Sequence, residues 1–179
     1  MQTYIALLRG INVSGQKMIK MADLKSLLEK QSFSNIQTYL QSGNVVFQSS
    51  LEDKHEISSI IQNAINENYG FDVPTLVLTA TELETIVHQN PFLLKEELSA
   101  DYFHVTFLAS PSQDIDEVVI LEKKSATEQI SFSAQAIYLY CPDGYGKTKL
   151  HNGFLEKQTK VTATTRNWKT SLHLMELSK

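Results

Sequence analysis

The period of the apolar positions changes repeatedly along the chain. "TYIALLR" (residues 3–9) is apolar on both parities, which predicts a strand covered on both faces. "MADLKSLLEKQ" (21–31) puts Met21, Leu24, Leu27 and Leu28 on one helical face. "NIQTYLQ" (35–41) alternates as a strand, "SGN" (42–44) offers Gly43 and Asn44 for positive φ, and "VVFQS" returns as the next strand. A helix follows over about 52–69, with Ile57, Ile60, Ile61, Ala64 and Ile65 on its buried face and Gly70 as its stop. "DVPTLVLT" (72–79) predicts a fourth strand, placed at a sheet edge by Pro74.

This β-α-β-β-α-β order is that of a ferredoxin-like sandwich. The second half nearly repeats it. Thr81 and Glu84 offer a capping box for a linking helix to about residue 90. "YFHVTFLA" (102–109) reads as a strand, and Ser110-Pro111 as the start of a helix near 112–123. "EQISFS" and "AIYLYC" predict two strands and "TKLHNGFLEKQ" a helix. The last stretch, "TTRNWKTSLHLMEL" (164–177), reads as one helix capped by Thr164 or Thr165. The expected fold is α+β, two ferredoxin-like units with an extra C-terminal helix. Its parts are a first half at 1–79, a linker at 80–100, a second half at 101–160 and the C-terminal helix at 161–179.

Composition narrows the class. With 42% hydrophobic and 20% charged residues, the 179-residue chain reads as soluble and globular. No apolar run is long enough to span a bilayer, so no membrane partner is expected. The N-terminus enters a strand at once and predicts no signal peptide. The single cysteine excludes an internal disulfide and points to the cytoplasm.

Charge is unevenly spread. Residues 1–30 hold five Lys/Arg and two Asp/Glu, residues 31–143 hold four and sixteen, and residues 144–179 hold seven and two. A net charge of −4 argues against wholesale binding of duplex nucleic acid, but the basic ends leave room for one positive site.

The opening loop has the glycine spacing of a phosphate-binding P-loop in Gly10 and Gly15. It lacks the Lys and Ser/Thr that must follow, since Gln16, Lys17 and Met18 stand there. "GKT" (146–148) fails the other way, with Cys141 where the first glycine belongs. A Walker-type NTPase is excluded. The chain has fourteen Lys and only two Arg, Arg9 and Arg166, each next to Gly or Asn. Guanidinium groups grip carboxylate or phosphate in two places, so this sparing use points to ligand binding or to internal ion pairs. Read as opening a helix, Arg166 would also meet an anion at the helix N-terminus.

The five histidines show no metal-ligand spacing, no metal or cofactor is expected, and no catalytic residue stands out. Cys141 reads as a buried thiol. Asp114, Asp116 and Glu117 read as helix-start charges. Tyr39, Tyr102, His104, Tyr138 and Tyr140 lie on the polar parity of their strands. They read as packing rings, or alternatively as base-stacking platforms.

"YIALLRGINVSGQKMIKM", "YLQSGNVVF" and "ATTRNW" together resemble the bacterial family known as domain of unknown function 1697. The resemblance runs over essentially the whole chain and implies duplicated ferredoxin-like units, without a known activity. Arg9, Gly10, Asn12, Lys17 and Lys20 match its first motif, Ser42, Gly43 and Asn44 its second, and Arg166, Asn167 and Trp168 its third. Ser14 stands where a glycine is common in that family.

These readings converge on a protein that binds a phosphorylated small molecule or nucleotide. The expected site residues are Arg9, Asn12, Lys17, Lys20, Ser42, Asn44, Lys149, Arg166 and Asn167. Single-stranded nucleic acid is the alternative ligand. A structural or interaction protein, whose motifs serve only the fold, is the alternative role.

Overall fold

The computed structural model describes residues 1–112 and 115–179. Its elements are β1 (Gln2–Leu8), α1 (Met21–Glu29), β2 (Ser34–Tyr39), β3 (Asn44–Ser49), α2 (Lys54–Tyr69), β4 (Thr75–Thr79) and α3 (Ala80–His88). There follow β5 (Phe103–Leu108), α4 (Glu117–Lys123), β6 (Gln129–Phe132), β7 (Ala136–Tyr140), α5 (Asn152–Thr159), β8 (Ala163–Asn167) and α6 (Trp168–Leu177). The fold is α+β. The chain forms two compact units, one of residues 1–84 and 173–179, the other of residues 85–172.

In the first unit the sheet order is β2-β3-β1-β4, and β1 runs antiparallel to both neighbours. In the second the order is β6-β7-β5-β8, with β5 antiparallel to β7 and β8. Each sheet thus places its first strand between its third and fourth. Pro74 immediately precedes the edge strand β4, where its missing N–H removes no ladder bond.

The first core lies between one face of its sheet and α1 and α2. Tyr4, Ala6, Leu8, Val45 and Phe47 meet Leu24 and Leu28 of α1 and Ile57, Ile61, Ala64 and Ile65 of α2. This is the buried stripe read from the sequence. Tyr4 and Phe47 stack at 5.9 Å, and the Tyr4 hydroxyl donates to the Leu51 carbonyl at 2.8 Å. Ile5 and Leu7, on the opposite parity of β1, are buried as well. Helix α2 ends at Gly70, whose φ of 76° lets its N–H return to the Asn66 carbonyl. The second unit gathers Ile120, Ile137, Leu139, Cys141, Leu150 and Leu155.

Three sequence expectations are corrected. Residues 163–167 form strand β8 and not the start of a helix. The β-branched pair Thr164-Thr165 fits a strand, and pairing of Val105 with Arg166 and of Thr106 with Thr165 covers the free edge of β5. Helix α6 begins at Trp168, and its cap is Asn167, whose Oδ1 accepts from the Thr170 N–H at 2.8 Å. The capping box of α3 is Thr79 and Glu82, two residues before the expected pair, because β4 runs into the helix with no linker. Helix α4 starts at Glu117 under an Asp116 cap, while Ser112 donates to the Thr159 carbonyl at 2.9 Å. Asp114, read as a helix-start charge, lies outside the described residues.

The β4–α3 junction also carries charge. Glu82 accepts from the Thr79 N–H at 2.9 Å and pairs with Lys54 of α2. Burial alone would raise the Glu82 carboxyl. The bonds from Lys54 and Thr79, with the attraction of the Lys54 charge, outweigh it and hold the pKa below the ordinary 4.5. A depressed folded-state pKa contributes stability above the unfolded value, and that contribution is lost as pH falls through the folded one. Glu82→Gln keeps the capping acceptor and removes the charge. We expect wild type to be more stable than Glu82→Gln near neutral pH, with the difference closing as pH falls below the ordinary glutamate value of 4.5. Urea unfolding between neutral pH and strong acid checks this.

Candidate functional site

The candidate residues of the first unit sit on two loops that bond to each other. The first joins β1 to α1. Ile11 and Ile19, each 1% exposed, plug both of its ends into the core. Between them the chain doubles back as a miniature hairpin. Gln16 N–H donates to the Val13 carbonyl at 2.9 Å and Asn12 N–H to the Lys17 carbonyl at 3.2 Å. The tip is Ser14-Gly15, with φ of 51° and 74°, the pair of positive angles that a two-residue hairpin turn of type I′ requires. Glycine takes this conformation freely and serine does not, so Ser14 carries a local strain of about 1 kcal/mol.

Asn12 locks this hairpin. Its Nδ2 donates to the Ile19 carbonyl at 2.9 Å and to the Gln41 carbonyl at 2.7 Å, and its Oδ1 accepts from the Ile19 N–H at 2.8 Å. One amide therefore closes the loop and ties it to the second loop, the turn between β2 and β3. Arg9 follows β1, half-buried, with its N–H on the Pro74 carbonyl at 2.9 Å. Lys17 Nζ donates to the Asp72 carbonyl. Lys20 is exposed and occupies the N-cap position of α1.

The second loop is shaped by close approach. Leu40 has φ of 57° and Gly43 of 78°, whereas Asn44 already belongs to β3. A Cβ on Gly43 would lie 2.6 Å from Ile11 Cδ1 and 2.7 Å from Leu8 Cβ. The Gly43 carbonyl accepts from the Leu8 N–H at 2.8 Å. Asn44 is fully buried, and its Nδ2 donates to the Tyr39 carbonyl at 2.7 Å and to Ser42 Oγ at 3.1 Å. Ser42 and Asn44 thus brace the turn on which Asn12 fastens.

The remaining candidates belong to the second unit. Lys149 is exposed and lines a depression of about 350 Å³ of mixed charge, in which Lys123, Lys124 and Lys147 alternate with Glu122, Glu128 and Asp143. Arg166 lies on β8 and is only 9% exposed; its Nη1 donates to Thr164 Oγ1 at 2.9 Å and to the Thr165 carbonyl at 3.0 Å. Burial lowers its pKa to about 10, against an opposing pull from Tyr145. A strand position replaces the helix N-terminus expected for Arg166, and Asn167 spends its Oδ1 on capping α6.

The rings singled out in the sequence have neighbours within their own units. Tyr39 meets His173 at 4.0 Å and Tyr102 meets Tyr140 edge-on at 6.1 Å. His104 stacks on Tyr145 at 4.8 Å, and the Tyr138 hydroxyl donates to the Ile86 carbonyl at 2.8 Å. Burial, with a further push from Glu128, takes the Cys141 thiol up to about 12, so it stays protonated and a poor nucleophile at neutral pH. Among the described residues no group of three or more His, Cys, Asp or Glu could hold a metal ion, and no helix is long and apolar enough to cross a membrane. Sequence reasoning passed over the hairpin at residues 12–17, although the Ser-Gly dipeptide is its turn signal. It also missed Leu40, because positive φ is rare for leucine.

Stability measurements on three variants test this arrangement. Gly43→Ala adds a methyl group where Leu8 and Ile11 leave no room, at a positive φ. We expect a loss of about 3 kcal/mol in chemical denaturation. Asn12→Ala deletes three hydrogen bonds and should cost about 2–3 kcal/mol. Asn12→Asp should cost at least as much, because it turns a carboxylate oxygen toward two carbonyls.

Residues 1–138 match the family model described as Protein of unknown function (DUF1697). None of the curated proteins matches the chain. Among solved structures it is similar to the conserved bacterial protein SP0830 from Streptococcus pneumoniae. The TM-score is 0.74 at 22% identity, with 99% of each chain covered, a likeness of fold. With more than two-thirds of its length matched, from β1 through most of β7, the chain belongs to the DUF1697 family of proteins of unknown function.

Proposed function

We propose that the chain binds a phosphorylated small molecule or nucleotide through the loop between β1 and α1. One observation carries this reading. Residues 9–20 contain three cations, Arg9, Lys17 and Lys20, and no carboxylate. They stand on and to either side of a hairpin, Lys17 at its end, Arg9 before it and Lys20 after it, in a loop whose backbone is fixed from within by Asn12 and by the buried Ile11 and Ile19. A scaffold that spends Asn12 on its own backbone holds its cations in place before a ligand arrives, which lowers the entropic cost of binding. The roles of Asn12, Ser42 and Asn44 in this reading are to position the loop, and the anion falls to Arg9, Lys17 and Lys20.

For the third motif the buried setting of Arg166 and the capping role of Asn167 favour a structural part. We also read each unit as a ferredoxin-like repeat, supported by the shared strand order, with the first strand between the third and fourth. A cytoplasmic setting goes with one cysteine and no disulfide.

Thermal shift with inorganic phosphate and with AMP tests the binding. A ligand at 100 times its Kd stabilises by about 2.7 kcal/mol, which for a chain of this size raises Tm by roughly 5–10 °C. Arg9→Ala and Lys20→Ala should each abolish most of that rise. A wild type that responds to neither ligand, or variants that respond as wild type does, would defeat the proposal.

A further inference from the structure

We infer that the phosphorylated ligand of the β1–α1 loop is a free mononucleotide, with a flat, weakly polar base beside its phosphate. The inference rests on the anion-binding reading above and adds the class of ligand. Its basis is where the first unit leaves apolar side chains in water. Apart from the terminal Met1, the exposed large hydrophobic residues of that unit are Val13 (58%), Met18 (61%) and Leu40 (50%). All three stand on the two loops that Asn12 joins, Val13 on the hairpin, Met18 just after it and Leu40 next to Gln41. Exposed apolar residues scattered singly need no explanation, but a group gathered around one feature marks a contact surface.

The first of these loops also holds the cations. Lys17 lies between Gln16 and Met18, and Lys20 is two residues past Met18. A partner that satisfies both features must bring negative charge and an apolar face within the span of a short loop. Inorganic phosphate brings only the charge. A sugar phosphate adds hydroxyls that gain nothing from covering valine, methionine and leucine. A nucleobase presents a π-face that stacks without regard to sequence, and a methionine thioether packs well against such faces. Leu40 holds φ of 57°, an uncommon conformation for leucine, and its side chain is half exposed. Apolar contact with a ligand would offset that local strain.

Titration calorimetry with AMP, ribose 5-phosphate and inorganic phosphate tests the inference on the whole chain. AMP should bind at least tenfold more tightly than ribose 5-phosphate. Met18→Ser and Leu40→Asn should each remove most of that advantage while leaving ribose 5-phosphate binding unchanged. Asparagine tolerates positive φ, so the second variant keeps the turn. Leu94→Ser, at a residue 88% exposed in the other unit, should change nothing. Equal affinity for AMP and ribose 5-phosphate, or an AMP preference that survives both loop variants, would overturn the inference and leave anion binding standing. Failure of all three ligands to bind would overturn both. An adenylate decamer that binds far more tightly than AMP, with steep salt dependence, would replace the free nucleotide by a single strand.

Discussion

The first unit depends on what the Asn12 amide does with its three hydrogen bonds. Twelve residues of mixed polarity lie between β1 and α1, too many for a tight turn. Left to itself such a segment would sample many shapes. Ile11 and Ile19 fix its ends by burial, and the amide supplies the cross-link between them. The same group reaches the Gln41 carbonyl, so the position of one loop becomes the position of two. The missing side chain of Gly43 completes the arrangement, since Ile11 occupies the space a Cβ would need. Burial, hydrogen bonding and backbone conformation therefore specify the same geometry, the kind of agreement between levels that gives a sequence one structure.

Division of labour within the motifs follows. Polar residues that look alike in sequence have separate tasks. Asn12, Asn44 and Asn167 spend their amides on the backbone, closing a loop, bracing a turn and capping a helix. Arg166 directs its guanidinium to oxygens of its own strand. Lys20, by contrast, gives its carbonyl to the first turn of α1 and keeps its side chain at the surface. Surface cations and asparagines bonded to the backbone thus alternate along a few residues.

Most elements were legible because their periodicity was long and unambiguous. The stripe of Ile57, Ile61, Ala64 and Ile65 with its Gly70 stop, and the doubly apolar β1, left little choice. The errors fell at junctions. Thr164 and Thr165 are as suitable for capping as for a strand, and only pairing with β5 decides between them. Ser110-Pro111 has the chemistry of a helix start, yet the helix waits for Asp116. At the site the cations and glycines could be read as a basic loop. What could not be read was that the amides of Asn12, Asn44 and Asn167 would bond to the chain's own backbone, because that depends on which backbone groups the folded chain brings to them. Nor does any local signal reveal that Leu40 adopts a positive φ.

Both units end their sheets in the same way. Thr79 is followed at once by the first residue of α3, and Asn167 by the first residue of α6, each junction sealed by a side chain bonding three residues ahead. With no spacer to absorb a change in length, one extra residue would turn either helix by about 100° against its sheet. Evolution can lengthen or trim this chain at its surface turns, but at these two hinges without slack only substitution remains open to it.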